Sequence, residues 1–385
     1  MDQNGFGPRA AGRLIPTLGG RKAFLPNPLP PAQLDLNPIA TQLALASQAV
    51  GELRGIGRSI ANPLLLIRPL QRREAVSSSS MEGTYTTLSD LFLFEAGLAD
   101  AGKQEDNREV LNYVGALSEA IRQLSELPIS SRLLRNAHGI LLNGVARHRG
   151  ASVEAGELKR DQNWIGGTGR IETARFIPPP PREAADALDE LTRYINRPER
   201  DSTPPLVDAA LAHYQFETIH PFADGNGRVG RMLITLMLME GQVLSQPLLY
   251  MSPWFERHKD RYIDLMFEVS RKGDWLPWIS FFLEAVSASA VSTIKVVERL
   301  QDLQAQYRLR VQTAGRSALL PRIIDMAFER PAMTVTDIAQ YIGVTYQAAS
   351  KNVSALVKAG IATEIGSHPK IVVFGEIMET LRGVD

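Results

Sequence analysis

The feature of the sequence that most restricts its fold is a glycine-rich turn between two apolar segments. Residues 206–219 and 232–239 are apolar runs of helical character, and the twelve residues between them read HPFADGNGRVGR. A turn of this kind opens the second helix and directs its free backbone N–H groups at an anion. The segment therefore predicts two consecutive helices with an anion-binding site at the start of the second.

The glycines of this turn, Gly225, Gly227 and Gly230, also fit the G-x-G-x-x-G pattern of dinucleotide-binding folds. That pattern should follow a β-strand and should precede an acidic residue by about 20 residues. Here a helical run precedes the glycines, and Ser245 stands where the acidic residue would be. The sequence therefore does not predict a dinucleotide-binding domain.

The polar residues of the turn are of the types that bind the phosphates of a nucleotide. Asn226 offers an amide donor, and Arg228 and Arg231 lie three positions apart, so both guanidinium groups share one helix face. Asp224 would repel a phosphate unless a cation lay between them, and Mg²⁺ usually binds through one carboxylate plus phosphates. His220 is a nearby group that can accept a proton near neutral pH. Together these residues predict a nucleotide phosphate site with Mg²⁺ and a positioned base.

Composition indicates a globular protein without a strong charge bias. The 385 residues, enough for two or three domains, are 44% hydrophobic and 22% charged, and the formal net charge is zero. Charge therefore gives no argument for nucleic acid or an anionic membrane as a partner. Cysteine is absent, which excludes disulfides, thiolate catalysis and cysteine-bound zinc. The first residues do not resemble a signal peptide and the apolar runs are short, so we expect a cytoplasmic protein without membrane contact.

Patterns along the chain predict a mainly α-helical protein with several parts. Glycine, proline and arginine dominate the start, apolar residues then recur at helical spacing, and a segment with paired glycines and four prolines suggests a β-hairpin. Near the end, two helices around a glycine turn are followed by two short strands. We predict a flexible arm over residues 1–30, a helical region over 31–100, a catalytic core over 101–290, a linker helix over 291–312 and a winged helix-turn-helix domain over 313–385.

A second informative segment reads SSSSMEGT, residues 77–84. The pattern before it predicts a helix over about residues 72–83, with Gly83 as the residue that ends it. Glu82 would then lie at the negative end of the helix dipole, where a cation is favoured by roughly 0.3–1 kcal/mol. An isolated glutamate at such a place is most often a solvated surface residue, so Glu82 needs a cationic partner if it has a function.

The segment HPFADGNGRVGR resembles, without departure, the signature H-P-F-x-D/E-G-N-G-R-x-x-R of the Fic family. The resemblance extends over about residues 25–300 through shorter stretches in the family's order, including PNPLPP, EAVSSSSMEGT, NWIGG, FIPPPP and GDWLPWISFFL. It implies a Fic-type helical core with a small β-hairpin flap. It also implies the transfer of AMP from ATP to a hydroxyl group of a target protein.

The resemblance implies a role for each polar residue of the signature. His220 would be the general base that takes the proton of an attacking Ser, Thr or Tyr hydroxyl. Asp224 would hold Mg²⁺, and Arg231 would hold the γ-phosphate of ATP. The anion hole for the other phosphates would be formed by Gly225, Asn226, Gly227 and Arg228.

The segment NWIGG matches the family's flap, which clamps the nucleotide and aligns the target by strand addition. The resemblance therefore implies nucleotide contacts at four flap residues and at one residue farther along the chain. That residue stands where the family often has the first of two tyrosines beside the adenine, and the second position is Ile263 here. The five positions are Asn163, Trp164, Ile165, Gly166 and Tyr262.

The segment SSSMEG, counted from Ser78, fits the family's inhibitory pattern S/T-x-x-x-E-G/N. In such members the glutamate reaches the second arginine of the signature, which is Arg231 here. Glu82 would then occupy the place that the γ-phosphate requires, and Ser78 would steady the helix. The resemblance therefore implies an enzyme inhibited by its own N-terminal helix.

Two other functions remain open at this point. Glu82 could position a water molecule, which would favour the reverse reaction, the removal of AMP from a modified protein. Alternatively, the protein could be a DNA-binding regulator with the Fic core as a sensor. Its second C-terminal helix carries only Lys351 and Lys358 as cations, a weak basis for affinity for DNA. A homodimer contact or docking on a target protein explains that domain equally well.

Overall fold

A computed structural model shows a mainly α-helical protein, which confirms the predicted fold class. It describes residues 5–59, 62–98, 102–145, 154–198, 203–314, 317–366 and 369–383. In chain order the α-helices are α1 (Ala40–Ser59), α2 (Leu64–Ser80), α3 (Leu88–Glu95), α4 (Gln104–Gln123), α5 (Ser131–Leu141), α6 (Pro181–Ile195), α7 (Pro205–Ile219), α8 (Asn226–Glu240), α9 (Ser252–Arg257), α10 (Lys259–Lys272), α11 (Trp275–Ala314), α12 (Leu320–Glu329), α13 (Val335–Ile342), α14 (Tyr346–Lys358) and α15 (Gly375–Arg382). The strands are β1 (Gly12–Pro16), β2 (Lys22–Pro26), β3 (Ala332–Thr334), β4 (Thr363–Ile365) and β5 (Ile371–Val373).

Helices α7 and α8, on either side of the glycine-rich turn, form the centre of the protein. Nearly every residue of both helices is buried, as expected for helices that are apolar on all faces. The two helices pack against each other, and helices α2, α4, α5, α6 and α11 and strand β2 pack around them. The two helices that carry the turn are therefore held in place by core packing.

The N-terminal segment forms a β-hairpin, so the prediction of a flexible arm over residues 1–30 is wrong for most of that range. Strands β1 and β2 pair in antiparallel register from Gly12 opposite Pro26 to Pro16 opposite Lys22. Phe24 is fully buried, and its backbone N–H donates to the carbonyl oxygen of Ile177 at 2.8 Å. The glycines and prolines suggested disorder, but a buried aromatic residue and a strand contact outweigh that tendency.

Helix α2 begins at Leu64, eight residues before the predicted start. Pro69 lies inside the helix, although proline usually disrupts a helix interior, because the buried side chains of neighbouring residues anchor the first turns. The helix ends in the predicted way. Gly83 has a φ of 87°, and the backbone N–H of Thr84 donates to the carbonyl oxygen of Ser79 at 3.0 Å, which is the pattern of a Schellman cap.

Helix α11 is a single helix of 40 residues, so residues 291–312 are its second half rather than a separate linker helix. It packs against α1, α7, α9 and α10, and also against α12, α14 and α15. Over Trp275–Gln312 it is long and apolar enough to cross a membrane, yet 61% of its most apolar stretch of 18 residues is buried inside the protein. That burial is typical of the central helix of a globular protein.

The C-terminal part contains two helices, α13 and α14, joined at Gly343, whose φ is 73°. Strands β3, β5 and β4 form an antiparallel sheet in that order, and the two residues at the turn between β4 and β5 lie outside the described residues. This part packs on α2 and α3. Arg68 of α2 pairs with Glu329, and the Nη2 atom of Arg382 donates to the Oγ atom of Ser89 at 2.8 Å. The C-terminal part is thus in direct contact with the helix that leads to Glu82.

Candidate active site

His220 lies where helix α7 ends. Its backbone is left-handed, with φ 49° and ψ 59°, so the chain turns sharply there. The Nδ1 atom lies 3.2 Å from the carbonyl oxygen of Glu217, and a proton on Nδ1 that is donated to this oxygen leaves Nε2 free to accept another. Burial, together with the positive charge of Lys159, lowers the pKa of His220 to about 4. The imidazole is therefore neutral at pH 7, as a general base requires.

The glycine-rich turn is stabilised by hydrogen bonds from the side chain of its own asparagine. Gly225 has a φ of 76°, which glycine adopts at little cost, and it is the N-cap of α8. Asn226 is buried, and its amide accepts from the backbone N–H of Phe222 and donates to the carbonyl oxygen of Phe222, both at 2.8 Å. Asn226 thus satisfies backbone groups of the irregular turn, and its predicted bond to the anion would use the second N–H of the same amide. The free N–H groups of the first turn of α8 remain as donors.

Arg228 is fully buried and pairs with Glu109 of α4. Glu109 also accepts a hydrogen bond from the hydroxyl of Thr84 at 3.1 Å, and the Oδ2 atom of Asp224 lies 3.6 Å from the Nη2 atom of Arg228. A buried guanidinium group needs such a counter-charge. Arg228 therefore stands in the site as part of an ion-paired cluster rather than as a free cation.

Arg231 binds the last turn of helix α2 and Glu82, which follows that turn. Its Nε atom donates to the Oγ atom of Ser78 and its Nη2 atom to the carbonyl oxygen of Ser78, each at 2.8 Å. The Nη2 atom also lies 2.8 Å from the Oε1 atom of Glu82. Partial burial acts against the charge of Glu82, but the adjacent Arg231 outweighs it and the pKa of Glu82 is lowered. The structure thus brings together Ser78, Glu82 and Arg231 as the sequence predicts.

Two further features hold the end of α2 against the signature. A Cβ atom at Gly227 would collide with the carboxylate of Glu82, so glycine is required for the close approach of that carboxylate to α8. The Nζ atom of Lys259 donates to the carbonyl oxygen of Met81 at 2.7 Å. A cation at this position also satisfies the negative end of the α2 dipole. The last turn of α2 is therefore held by one cation from α8 and one from α10.

A cavity of about 240 Å³ opens beside these residues. Its ionisable lining includes Glu82, Glu217, His220 and Arg231. Tyr262 also lines it, and the tyrosine hydroxyl lies 2.8 Å from the Nε2 atom of buried His213. The apolar part of the lining is formed by Ile165, Phe176, Ile263, Met266 and Phe267. A flat apolar ligand with an anionic tail fits such a lining.

The predicted β-hairpin flap is an irregular loop. Within residues 160–181, Ile165 and Phe176 form a single antiparallel bridge, and a short 3₁₀ turn over Ile171–Thr173 lies between them. Gly166 has a φ of 71°, which does not continue a strand. Ile165 lines the cavity, whereas Trp164 and Gly166 are not among its lining residues, and Trp164 is 39% exposed.

Asn163 holds the signature loop rather than lining the cavity. Its Nδ2 atom donates to the carbonyl oxygens of His220 and Phe222, at 3.2 and 3.0 Å. The Nζ atom of Lys159 donates to the Oδ1 atom of Asn163 at 2.7 Å, and burial lowers the pKa of Lys159 to about 7. Sequence reasoning missed both Lys159 and Glu109. Each looks like an ordinary surface charge in the sequence, and only the fold brings them to the site.

Asp224 is the residue whose surroundings fit a magnesium ion. In the described part of the chain, no group of three or more His, Cys, Asp or Glu side chains could hold a metal by itself. The Oδ1 atom of Asp224 accepts from the backbone N–H of Gly225 at 2.7 Å, and the side chain is 30% exposed. One protein carboxylate combined with phosphate oxygens is a usual ligand set for Mg²⁺. The site therefore fits Mg²⁺ in company with a nucleotide.

The sequence matches two parts of one family. Residues 40–139 match the description "Fic/DOC family N-terminal", and residues 128–238 match the description "Fic/DOC family". Together the two matches span just over half of the 385 residues and include α2, Glu82 and the whole signature. The chain belongs to the Fic/DOC family.

Relatives and solved structures agree with this assignment. The protein adenylyltransferase Fic of Drosophila grimshawi is 25% identical over 249 residues, which are 64% of this chain and 47% of that protein. The chain thus spans about half the length of the curated relatives it matches. A Fic family protein from Desulfovibrio desulfuricans G20 superimposes with a TM-score of 0.57 at 19% identity, over 90% of this chain and 98% of that one. A Fic domain-containing signalling protein from Bacteroides thetaiotaomicron VPI-5482 gives 0.52 at 20% identity, over 66% and 96%. These structures show a shared fold.

Proposed function

We propose that this protein is an autoinhibited protein adenylyltransferase, which transfers AMP from ATP to a Ser, Thr or Tyr hydroxyl of target proteins and of itself. The observation that carries the proposal is the ion pair between Glu82 and Arg231, placed at the opening of α8 beside a neutral His220. Phosphoryl transfer needs a base, hydrogen-bond donors to the phosphate oxygens and a cation, and the site contains all three. A carboxylate covers the cation. The activity named for the Drosophila relatives supports the same reaction.

His220 acts as the base in this reaction. Its Nε2 atom takes the hydroxyl proton while the hydroxyl oxygen attacks the α-phosphorus and the bond to pyrophosphate breaks. The hydrogen bond from Nδ1 to the carbonyl oxygen of Glu217 fixes the tautomer and stabilises the imidazolium that forms. Asn163 fixes the backbone of His220 through its bond to the His220 carbonyl oxygen.

The start of α8 supplies electrostatic stabilisation of the charge that develops on the phosphates. Backbone N–H groups of its first turn face the phosphate oxygens on which charge develops. Arg231 binds the γ-phosphate and so aligns the α-phosphate with the attacking oxygen. Bound Mg²⁺ would neutralise phosphate charge as pyrophosphate leaves, and Asp224 is the residue that would hold it.

Inhibition follows from competition for one guanidinium group. Arg231 makes its bonds to Ser78 and Glu82 in the ground state, so the γ-phosphate meets a carboxylate where it needs a cation. ATP can still enter the cavity, but its α-phosphate is then misaligned. A displacement of about 1 Å can cost about 10² in rate.

The test compares the wild type with Glu82→Gly in labelled ATP and cell lysate, with mass spectrometry of the labelled bands. We expect Glu82→Gly to label itself and other proteins on the order of 10²-fold faster, since Arg231 is freed for the γ-phosphate. Arg231→Ala should be inactive, and adding Glu82→Gly to it should restore nothing, because both changes act through one contact. Activation that survives the loss of Arg231 would contradict this mechanism.

A second reaction, removal of AMP from a modified protein, is favoured by one observation. Glu82 lines the same cavity as His220, and about a third of its side chain is exposed, so its carboxylate can orient a water molecule there. Incubation of an AMP-modified target with wild type and with Glu82→Gly separates the two reactions. Release of AMP by the wild type alone would assign Glu82 to removal.

A further inference from the structure

A histidine from outside the signature packs against the signature loop. His138 of α5 is fully buried, and its ring stacks on that of Phe222, with 3.9 Å between the centroids and 8° between the planes. A Cβ atom at Gly225 would lie 3.5 Å from the Cδ2 atom of His138, so the loop also lies directly against the edge of the imidazole. His138 therefore contacts the loop from two sides, although the proposed mechanism does not use it.

The hydrogen bonds of His138 determine which ring nitrogen carries its proton. The backbone N–H of Gly156 donates to the Nδ1 atom at 2.9 Å. Because a backbone N–H can only donate, Nδ1 is unprotonated, and we assign the proton of the neutral ring to Nε2. The Nε2 atom lies 3.0 Å from the carbonyl oxygen of Asp224, so its N–H donates to that oxygen. The imidazole thus links the loop at Gly156 to the backbone of Asp224.

The bond from His138 acts on the peptide unit that also orients the carboxylate of Asp224. This unit consists of the carbonyl group of Asp224 and the N–H group of Gly225. The carbonyl oxygen accepts from His138, and the N–H donates to the Oδ1 atom of Asp224 at 2.7 Å. A rotation of the peptide would break both bonds. The orientation of the Asp224 carboxylate therefore depends on the ring of His138.

The peptide needs such a partner because a glycine follows it. Gly225 has a φ of 76°, and glycine adopts several backbone conformations at little cost, so the turn alone does not fix one orientation of this peptide. His138 can fix it, because the position of its own ring is set by α5, by the stacked ring of Phe222 and by the bond from Gly156. The restraint on the flexible turn thus comes from a rigid part of the core.

We propose that His138 is a positioning residue of the metal site, whose Nε2–H group holds the peptide between Asp224 and Gly225, and thereby the Asp224 carboxylate, in the orientation that binds Mg²⁺. This inference rests on the proposed function, which uses Mg²⁺ with ATP. Groups that orient a metal ligand contribute about 10- to 100-fold to metal affinity. A side chain at position 138 without a donor at the place of Nε2 should lose that contribution.

The test compares two substitutions that each keep one of the two hydrogen bonds of the ring. His138→Gln can place an amide N–H near the position of Nε2, which keeps the bond to Asp224 and loses the bond from Gly156. His138→Asn can place an amide oxygen near the position of Nδ1, which keeps the bond from Gly156 and loses the bond to Asp224. Both are made in the full chain carrying Glu82→Gly, with Asp224→Ala as the control for loss of the metal ligand and thermal unfolding as the check on folding.

The main readout is the binding of Mn²⁺, used in place of Mg²⁺, in the presence of ADP, measured by electron paramagnetic resonance of the free ion. We expect His138→Asn to weaken Mn²⁺ binding about 10- to 100-fold and His138→Gln to stay within about threefold of the parent protein. The Mg²⁺ concentration that gives half of the maximal rate of AMP transfer should shift by the same factors. Equal Mn²⁺ affinities in the two variants, both normal or both weakened, would overturn the inference, because a role in packing does not distinguish them.

A further measurement needs no change to the site. In the unsubstituted chain with isotope-labelled histidine, NMR should show the ring of His138 with its proton on Nε2 at neutral pH, the signal being assigned by its loss in His138→Gln. A proton on Nδ1 would overturn the inference and leave the proposed function in place. Failure of the parent protein to bind Mn²⁺ with ADP, or equally tight binding by Asp224→Ala, would contradict both the inference and the metal site of the proposed function.

Discussion

Ser78→Ala should partly activate the enzyme, because it removes one of the bonds that hold Arg231 in the inhibited arrangement. The Oγ atom of Ser78 accepts from the Nε atom of Arg231 at 2.8 Å, and both residues are buried. A hydrogen bond to a charged group contributes about 1.5–3 kcal/mol. The contacts to Glu82 and to the Ser78 carbonyl oxygen remain, so only part of the inhibition is lost. If Arg231 exchanges between Glu82 and the γ-phosphate, this loss shifts the balance by about 10- to 100-fold.

The assay is the initial rate of self-modification with labelled ATP, at equal protein concentration and with thermal unfolding checked for each variant. Ser79→Ala is the matched control, since Ser79 is equally buried in the same serine run and its Oγ atom has no hydrogen-bond partner among the described residues. We expect Ser78→Ala to be faster than the wild type and no faster than Glu82→Gly, and Ser79→Ala to match the wild type. Equal rates for Ser78→Ala and Ser79→Ala, with Glu82→Gly fully active, would refute the reasoning.

Other expectations concern the base and the metal, and all are measured in the Glu82→Gly protein. His220→Ala should slow AMP transfer by about 10²–10⁴ while calorimetry still detects ATP binding, and near-normal labelling would remove His220 from the mechanism. Because the pKa of His220 is lowered to about 4, the rate of AMP transfer should be constant from pH 6 to pH 8 and should fall only as acid protonates the imidazole. Lys159→Met removes a nearby positive charge, which should raise the pKa of His220 and so move that fall in rate to higher pH. Asp224→Ala should make added Mg²⁺ ineffective, and full activity with Mg²⁺ would place the metal elsewhere.

The sequence was most informative where a short segment contains its own chemistry. The glycine turn, the residues His220 and Arg231, and the glycine that ends α2 all follow from local pattern, and the contact of Glu82 with Arg231 followed once the resemblance was recognised. The helix-ending glycine was predicted correctly because a left-handed residue after a helix leaves a strong local signal. The start of α2 was predicted too late in the chain, because proline is usually disfavoured inside a helix, whereas here tertiary packing keeps Pro69 within α2.

The residues that sequence reasoning missed or misplaced depend on contacts between distant parts of the chain. Glu109 pairs with Arg228, which lies 119 positions later in the sequence. Lys159 lies in a loop 61 residues before His220, and its positive charge lowers the pKa of His220. Asn226 has a contact that its residue type alone does not predict, since both its amide oxygen and its amide nitrogen bond the backbone of the turn. Charge type predicts chemistry, whereas the partner of a buried charge is set by the fold.

The packing of α2 determines how inhibition can be relieved. Glu74, buried near the middle of the helix, accepts hydrogen bonds from the backbone N–H and hydroxyl of Ser252 and from the hydroxyl of Tyr113. Helices α4, α9, α12 and α15 also pack along α2, so moving it as a body would expose a buried carboxyl group and much apolar surface. Displacement of Glu82 alone costs much less free energy, since about a third of its side chain is already exposed and Gly83 gives the chain a flexible point after it. We therefore expect relief of inhibition to be a local movement of the last turn, with the rest of α2 remaining in place.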